Sequence, residues 1–289
     1  MVPVSRHWLA ATELGDRFTG VRLLRAGSRF TIYEGRDRHC GRTVAIKVPD
    51  ESRGAWLAEA LATEAELLNA VGRHPHVISC FGRLRLPDGR PALVLERCQG
   101  SLREQLARGE SLPLPQVVAI GIKLAAALEA THRAGVLHCD VRPHNVLLTE
   151  AGEPVVAGFD EAVRVVAAAT RAPLHEVSPH TAPELLEGAD PSSASDVYGL
   201  AATLYELVAG HAAFREYAGE SAASVIVRVL SHPVLPIFAP HVPFELSDLL
   251  TWALRADPAQ RPPSPAWIGE ELRRVEAKQG WPRTRLDLR

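Results

Sequence analysis

Lys47 and Glu64 are the first residues in the chain whose types and spacing suit them to chemistry. Lys47 closes the run TVAIK, and Glu64 lies three residues after Leu61 and four before Leu68, on one face of a helical pattern between Trp56 and Val71. A carboxylate on an apolar face is costly to bury unless a cation meets it, and Lys47 is the natural partner. The chemistry such a pair offers is electrostatic, a positive charge held in one place. The other reactive types offer less. Cys40, Cys80, Cys98 and Cys139 are widely separated with no CxxC, so neither a disulfide framework nor a zinc site is signalled. The 12 histidines include no HExxH and no i, i+4 pair, which argues against a histidine metal site.

Positioning Lys47 and Glu64 requires a sheet and a helix, and the first hundred residues read that way. FTGVRLLRAG, RFTIYEGRD and TVAIKVP are rich in β-branched and aromatic residues with turns between them. The helix has Leu61, Leu68 and Val71 along one face. RLRLPDGRPALVLERCQG follows as a hairpin-like pair of strands, with a hinge near Glu96 to Gly100. Beyond it the composition turns helical. Val118, Ile122, Ala125 and Leu128 mark one long amphipathic helix, and Val197, Leu200, Leu204 and Leu207 mark another. The opening 16 residues and the tail QGWPRTRLDLR fall outside the pattern and read as solvated ends.

The 289 residues, 46% hydrophobic and 23% charged, suffice for one large core or two lobes with a cleft. A net charge of −2 gives no overall basic field, so nucleic acid and anionic membrane are poor partners. No uninterrupted apolar run approaches the roughly 20 residues of a membrane span, and the N-terminus lacks a secretory apolar segment. The expected setting is cytoplasmic.

VAIK alone means little, but Glu64 follows it on a helix, and then come LVLERCQGSL, LHCDVRPHNVLL, VVAGFDEAV, TAPELL, DVYGLAATLYELVAG and DPAQRP. This order and spacing resembles the protein kinase superfamily, specifically bacterial serine/threonine kinases of the eukaryotic type, over roughly residues 17 to 275. The resemblance implies an α+β, two-lobed kinase fold. Residues 17–97 would form a small, mainly β N-lobe with one regulatory helix, and residues 98–276 a larger, mainly α C-lobe. Residues 1–16 would be an N-terminal extension and 277–289 a C-terminal tail.

It also implies roles. Lys47, paired with Glu64, would neutralise the phosphates of ATP, beneath a loop containing Gly27. Leu24, Ile32, Ala45 and Leu147 would sandwich adenine, and the backbone from Glu96 to Cys98 would supply hinge hydrogen bonds. Asp140 would orient and deprotonate the acceptor hydroxyl, Asn145 would ligate metal, and Arg142 stands where lysine is usual. Glu184 should pair with Arg261, and Asp196 should brace the backbone of His138 and Cys139.

Four departures bear on turnover. Gly158 replaces the metal-binding aspartate of Asp-Phe-Gly, the tripeptide here running Gly158, Phe159, Asp160. On an extended segment Asp160 would stand about 6 to 7 Å further along, so that only a local kink returns it to metal-ligand duty. The glycine loop keeps only Gly27, with Arg25 and Phe30 in the outer positions, and side chains there would keep the backbone amides from closing over phosphate. Cys139 occupies the arginine position of His-Arg-Asp, so phosphate on Ser178, Thr170 or Thr181 loses its main counter-charge. EVSPHTAPE departs from the usual approach to Ala-Pro-Glu, with His180 in the tyrosine position. The expectation is a pseudokinase that binds ATP with weak or absent Mg²⁺ dependence and acts through a protein partner. The alternative is a weak serine/threonine kinase with a protein substrate, using Asp140, Arg142 and Asn145. Transfer to a small molecule is disfavoured by the TAPE segment.

Overall fold

The computed structural model describes residues 14, 16–50, 56–170, 176–214 and 220–288, so Thr170 is described in its backbone alone. The chain divides into two compact units. The first takes in the described residues up to Asn69 together with Ile78–Cys98, and the second takes in Ala70–Val77 and the chain from Gln99 onward.

In the first unit the β-branched runs form β1 (Phe18–Ala26), β2 (Phe30–Asp37) and β3 (Arg42–Pro49). Helix α1 (Trp56–Val71) follows, then β4 (Cys80–Arg85) and β5 (Pro91–Glu96). The strands make one antiparallel sheet in the order β1-β2-β3-β5-β4. Register decides which side chains meet. Ile32 pairs with Lys47, Phe30 with Pro49, and Lys47 with Leu93, so alternation sends Phe30, Ile32, Lys47 and Leu93 to one face. There Phe30 and Leu93 pack against Leu57, Leu61 and Ala65 of α1. The opposite face buries Tyr33, Val44, Ile46, Val48 and Val94 with Phe18 and Leu14. Leu14, only 2% exposed, corrects the reading of the first 16 residues as a solvated end. Residues 1–13 lie outside the described residues.

The second unit opens with β6 (Cys98–Ser101), α2 (Leu102–Ala107) and α3 (Leu114–Arg133). Ser101 and Glu104 form a reciprocal capping box that starts α2. Short strands β7 (Val136–Leu137), β8 (Val146–Thr149), β9 (Pro154–Val156) and β10 (Val163–Arg164) follow. They make the sheets β6-β8-β9 and β10-β7. Helices α4 (Pro183–Leu186), α5 (Ser193–Ala209), α6 (Ala222–Ser231), α7 (Phe244–Ala253) and α8 (Pro265–Gln279) complete it. The architecture is α+β, antiparallel sheet in the first unit and mainly helix in the second.

The core of the second unit is α3, packed against α5 and α8 through Val118, Ile122, Ala125 and Leu128. Among the described residues α3 is the one helix long and apolar enough to cross a membrane, and most of it is buried within the protein. The stretch after α8 is not a solvated end. Glu276, 1% exposed, accepts hydrogen bonds from Thr284 N at 2.9 Å and Thr284 Oγ1 at 2.6 Å. Leu286 lies so close to Gly269 that a Cβ there would stand 2.7 Å from its Cδ1. The charged residues of the tail had masked these two anchors.

Candidate active site

In the first unit, Lys47 Nζ donates to Glu64 Oε2 at 2.6 Å, with the side chains 8% and 1% exposed. The pair forms because β3 places Lys47 on the face that α1 covers. The Phe30 ring lies 4.3 Å from Lys47 Nζ, and the Arg29 guanidinium lies 6.0 Å from the same ring. Phe30 therefore does not stand outward in the loop, as its place in the glycine motif suggested. Two residues before Ile32, it points to the same face, and the register makes it a diagonal neighbour of Lys47. Alternation along β2 carried that signal.

Gly27 N donates to Phe30 O at 2.9 Å, closing the β1–β2 turn, and a Cβ on Gly27 would stand 2.7 Å from that oxygen. Ile32 and Ala45 share the Lys47 face, whereas Leu24 falls at a register shift of β1 and is 36% exposed. Glu96 ends β5, its N–H donating to Ser79 O at 2.8 Å, and Cys98 is half-buried at the start of β6.

The second unit assembles the other group. Between β7 and β8 the backbone is held by Asp196 of α5, which accepts from His138 N and Cys139 N, each at 2.8 Å. These bonds hold Cys139 at φ 64, a left-handed conformation that costs a non-glycine residue of order 1 kcal/mol. His138 is fully buried, which pushes its imidazole below the usual range, and Nε2 lies 2.9 Å from Ala157 O. Phe159 stacks edge-on against it, centroids 4.7 Å apart.

The fixed turn presents Asp140, Arg142 and Asn145. Asn145 Nδ2 donates to Asp140 O at 2.9 Å and to Asp140 Oδ2 at 2.7 Å, while Arg142 Nε lies 3.2 Å from Asp140 Oδ1. Burial pushes the Asp140 carboxyl up to about 7; Arg142 opposes this, and the charges of Asp160 and Glu161 add to it. Arg142 forms a two-pronged bond to Glu176, at 3.0 and 2.9 Å. Burial lowers the basicity of Arg142, but the Glu176 hydrogen bond and the charges of Asp140 and Asp160 outweigh it and hold the group cationic. Glu176 had no signal in the motif pattern, because its partner is 34 residues away.

Gly158 has φ 75, and a Cβ there would stand 2.5 Å from Asn145 Oδ1 and 2.6 Å from Asn145 Cγ. The space where a side chain at 158 would begin is taken by Asn145. The next residues are not extended, as expected from sequence, but form a 3₁₀ turn, Phe159–Glu161. That turn brings the Asp160 carboxylate near enough for its field to reach both Asp140 and Arg142. Leu147 is half-buried on β8, opposite Val155. Among the described residues no three His, Cys, Asp or Glu side chains are grouped to hold a metal ion.

The framework beyond the site is well tied. Arg261 donates to both oxygens of Glu184, at 2.8 and 2.7 Å, and its side chain is fully buried. Ser178 and Thr181 are buried and bonded to each other, Ser178 N donating to Thr181 Oγ1 at 3.0 Å. His180 Nε2 lies 2.7 Å from Glu206 Oε2.

Compared with known families, residues 18–270 match the protein kinase domain. The chain is 34% identical over 282 residues to serine/threonine-protein kinase PknK of Mycobacterium tuberculosis, a match covering 94% of this chain and 25% of that protein. It is 35% identical over 274 residues to serine/threonine-protein kinase PkaB of Streptomyces coelicolor, covering 87% and 61%. With serine/threonine-protein kinase PknL of Mycobacterium tuberculosis it shares 31% identity over 291 residues, covering 98% and 71%. The chain thus spans about a quarter of the length of PknK.

Proposed function

The chain belongs to the protein kinase family, and from that premise we propose that it is a pseudokinase, binding ATP through Lys47 with little dependence on Mg²⁺ and acting by engaging a protein partner. One observation carries the proposal. The position that holds the family's metal carboxylate is a glycine, and Asn145 fills the space where its side chain would begin. The donor set does not fit Mg²⁺. Asn145 commits its amide nitrogen to Asp140, and residue 158 supplies no oxygen side chain. No step is therefore routed through a metal. ATP, the substrate that the kinase domain implies, would be held by the charge of Lys47 and by the apolar Ile32 and Ala45. The proposed setting is the cytoplasm, whose reducing conditions suit four free cysteines.

A specific observation favours a second reading, a weak serine/threonine kinase. A carboxyl pushed up to about 7 beside a cation, as in Asp140 and Arg142, suits a general base near neutral pH.

Thermal melting with ATP, with and without Mg²⁺, tests the proposal. Ligand at about 100 times its dissociation constant adds ~2.7 kcal/mol. The shift should be equal in both conditions and vanish in Lys47→Met. A shift seen only with Mg²⁺, or phosphoryl transfer to protein that Asp140→Asn abolishes, would decide for the second reading.

A further inference from the structure

We propose that Phe30 is a gate on Lys47, setting how readily a nucleotide phosphate reaches the one buried lysine of the first unit's site. The inference rests on the reading above in taking Lys47 as the phosphate contact. Three observations carry it.

The first is coverage. A charge-assisted contact needs a phosphate oxygen within about 2.9 Å of the ammonium. Lys47 has Glu64 at 2.6 Å on one side and the Phe30 ring at 4.3 Å on another, and its side chain is 8% exposed. A phosphate cannot share the approach that the ring occupies.

The second is that Phe30 is built into this position. It is 7% exposed and packs with Leu57, Leu61, Ala65 and Leu93, so the ring is held by the helix that carries Glu64. The antiparallel register sends it to the Lys47 face whatever the loop ahead of it does.

The third is Gly27. The single glycine kept from the motif is the one whose Cβ would strike Phe30 O at 2.7 Å, and its N–H bonds that oxygen. The structure gives this glycine a different task from phosphate approach. It permits the tight turn that pins the backbone of Phe30. The ring face offers Lys47 the negative side of its quadrupole, so aromatic packing and charge both favour the closed position.

The test uses the full chain. ATP is titrated calorimetrically without Mg²⁺ into wild type, Phe30→Ala and Phe30→Leu, the leucine keeping apolar packing while removing the ring. In parallel, acylation of Lys47 by an amine-reactive ester is followed by peptide mass spectrometry without nucleotide. Phe30→Ala should bind ATP about tenfold tighter, about 1.4 kcal/mol, and lose the gain when Lys47→Met is added. Its Lys47 should acylate several-fold faster, with Phe30→Leu between it and wild type. A folded Phe30→Ala protein with wild-type affinity and wild-type acylation overturns the gate. If Phe30→Ala does not fold, Phe30→Leu decides by the same two readouts. Faster acylation without tighter ATP binding upholds the gate and sinks Lys47 as the nucleotide contact. The pseudokinase reading is judged apart from all of this, by Mg²⁺ dependence and phosphoryl transfer in wild type.

Discussion

Placing a side chain at position 158 should destabilise the protein, and removing Asn145 should recover part of the loss. Gly158→Asp meets two obstacles. Its φ of 75 is left-handed, which costs a non-glycine residue about 1 kcal/mol, aspartate being among the more tolerant. Its Cβ would stand 2.5 Å from Asn145 Oδ1, so Asn145 must turn away and release its bonds to Asp140 O and Oδ2. Two such bonds are worth about 1 kcal/mol each. The single substitution should therefore lower stability by roughly 3 kcal/mol, the backbone cost added to that of the two released bonds. Asn145→Ala forfeits the same hydrogen bonds but clears the collision. The double mutant should thus be more stable than additivity allows by about 1–2 kcal/mol, a coupling of the size seen for residues in contact. Urea unfolding of wild type, both single mutants and the double mutant measures this directly. Additivity within about 0.5 kcal/mol would refute the reasoning, because Asn145 would then not occupy the space. The same collision bears on restoring Asp-Phe-Gly through Gly158→Asp with Asp160→Gly. That variant should melt below wild type without ligand, and only a gain in ATP affinity with Mg²⁺ over that without it would show a metal site restored.

Three other tests address separate parts of the molecule. The Asp140 carboxyl titrates at about 7 in the fold against 3.8 when unperturbed, so its favourable contribution is complete below about 3.8 and lost as pH rises through 7. Melting curves should show Asp140→Asn gaining on wild type between pH 4 and 8, by up to about 4 kcal/mol; parallel pH profiles would contradict this. Ser178→Glu would bury a carboxylate at a site 7% exposed, so it should cost at least about 2 kcal/mol and reduce hydrogen-exchange protection across residues 176–184; new protection there would count against it. Leu286→Ala should loosen residues 281–288 and cost about 1–2 kcal/mol, half-buried as it is, with faster exchange at Thr284 N; unchanged exchange would mean that Glu276 alone holds the tail.

The parts of the fold legible in the sequence were those set by local period and by charge economy. Alternation located β1, β2 and β3, the 3.6-residue pattern located α1, α3 and α5, and a carboxylate on an apolar helix face required Lys47. What stayed hidden depends on side chains brought together from afar. Asn145 and Gly158 are 13 residues apart, and nothing in either local pattern says that one fills the other's space. Thr284 and Leu286 find their partners only once α8 exists to receive them. Phe30 is an intermediate case. Its direction was present in the β2 alternation, but the motif drew attention to what a side chain does to a loop rather than to the face it enters.

The filled space at Gly158 also bears on ancestry. Where an asparagine has moved into the volume left by an aspartate, the loss stops being a single-step matter, because a reversion at 158 alone arrives in an occupied place. The lineage could regain the carboxylate only by way of Asn145, a residue the family's metal site itself requires. Each of the two positions thus bars the other's return, and a substitution that began as one changed codon becomes a one-way passage.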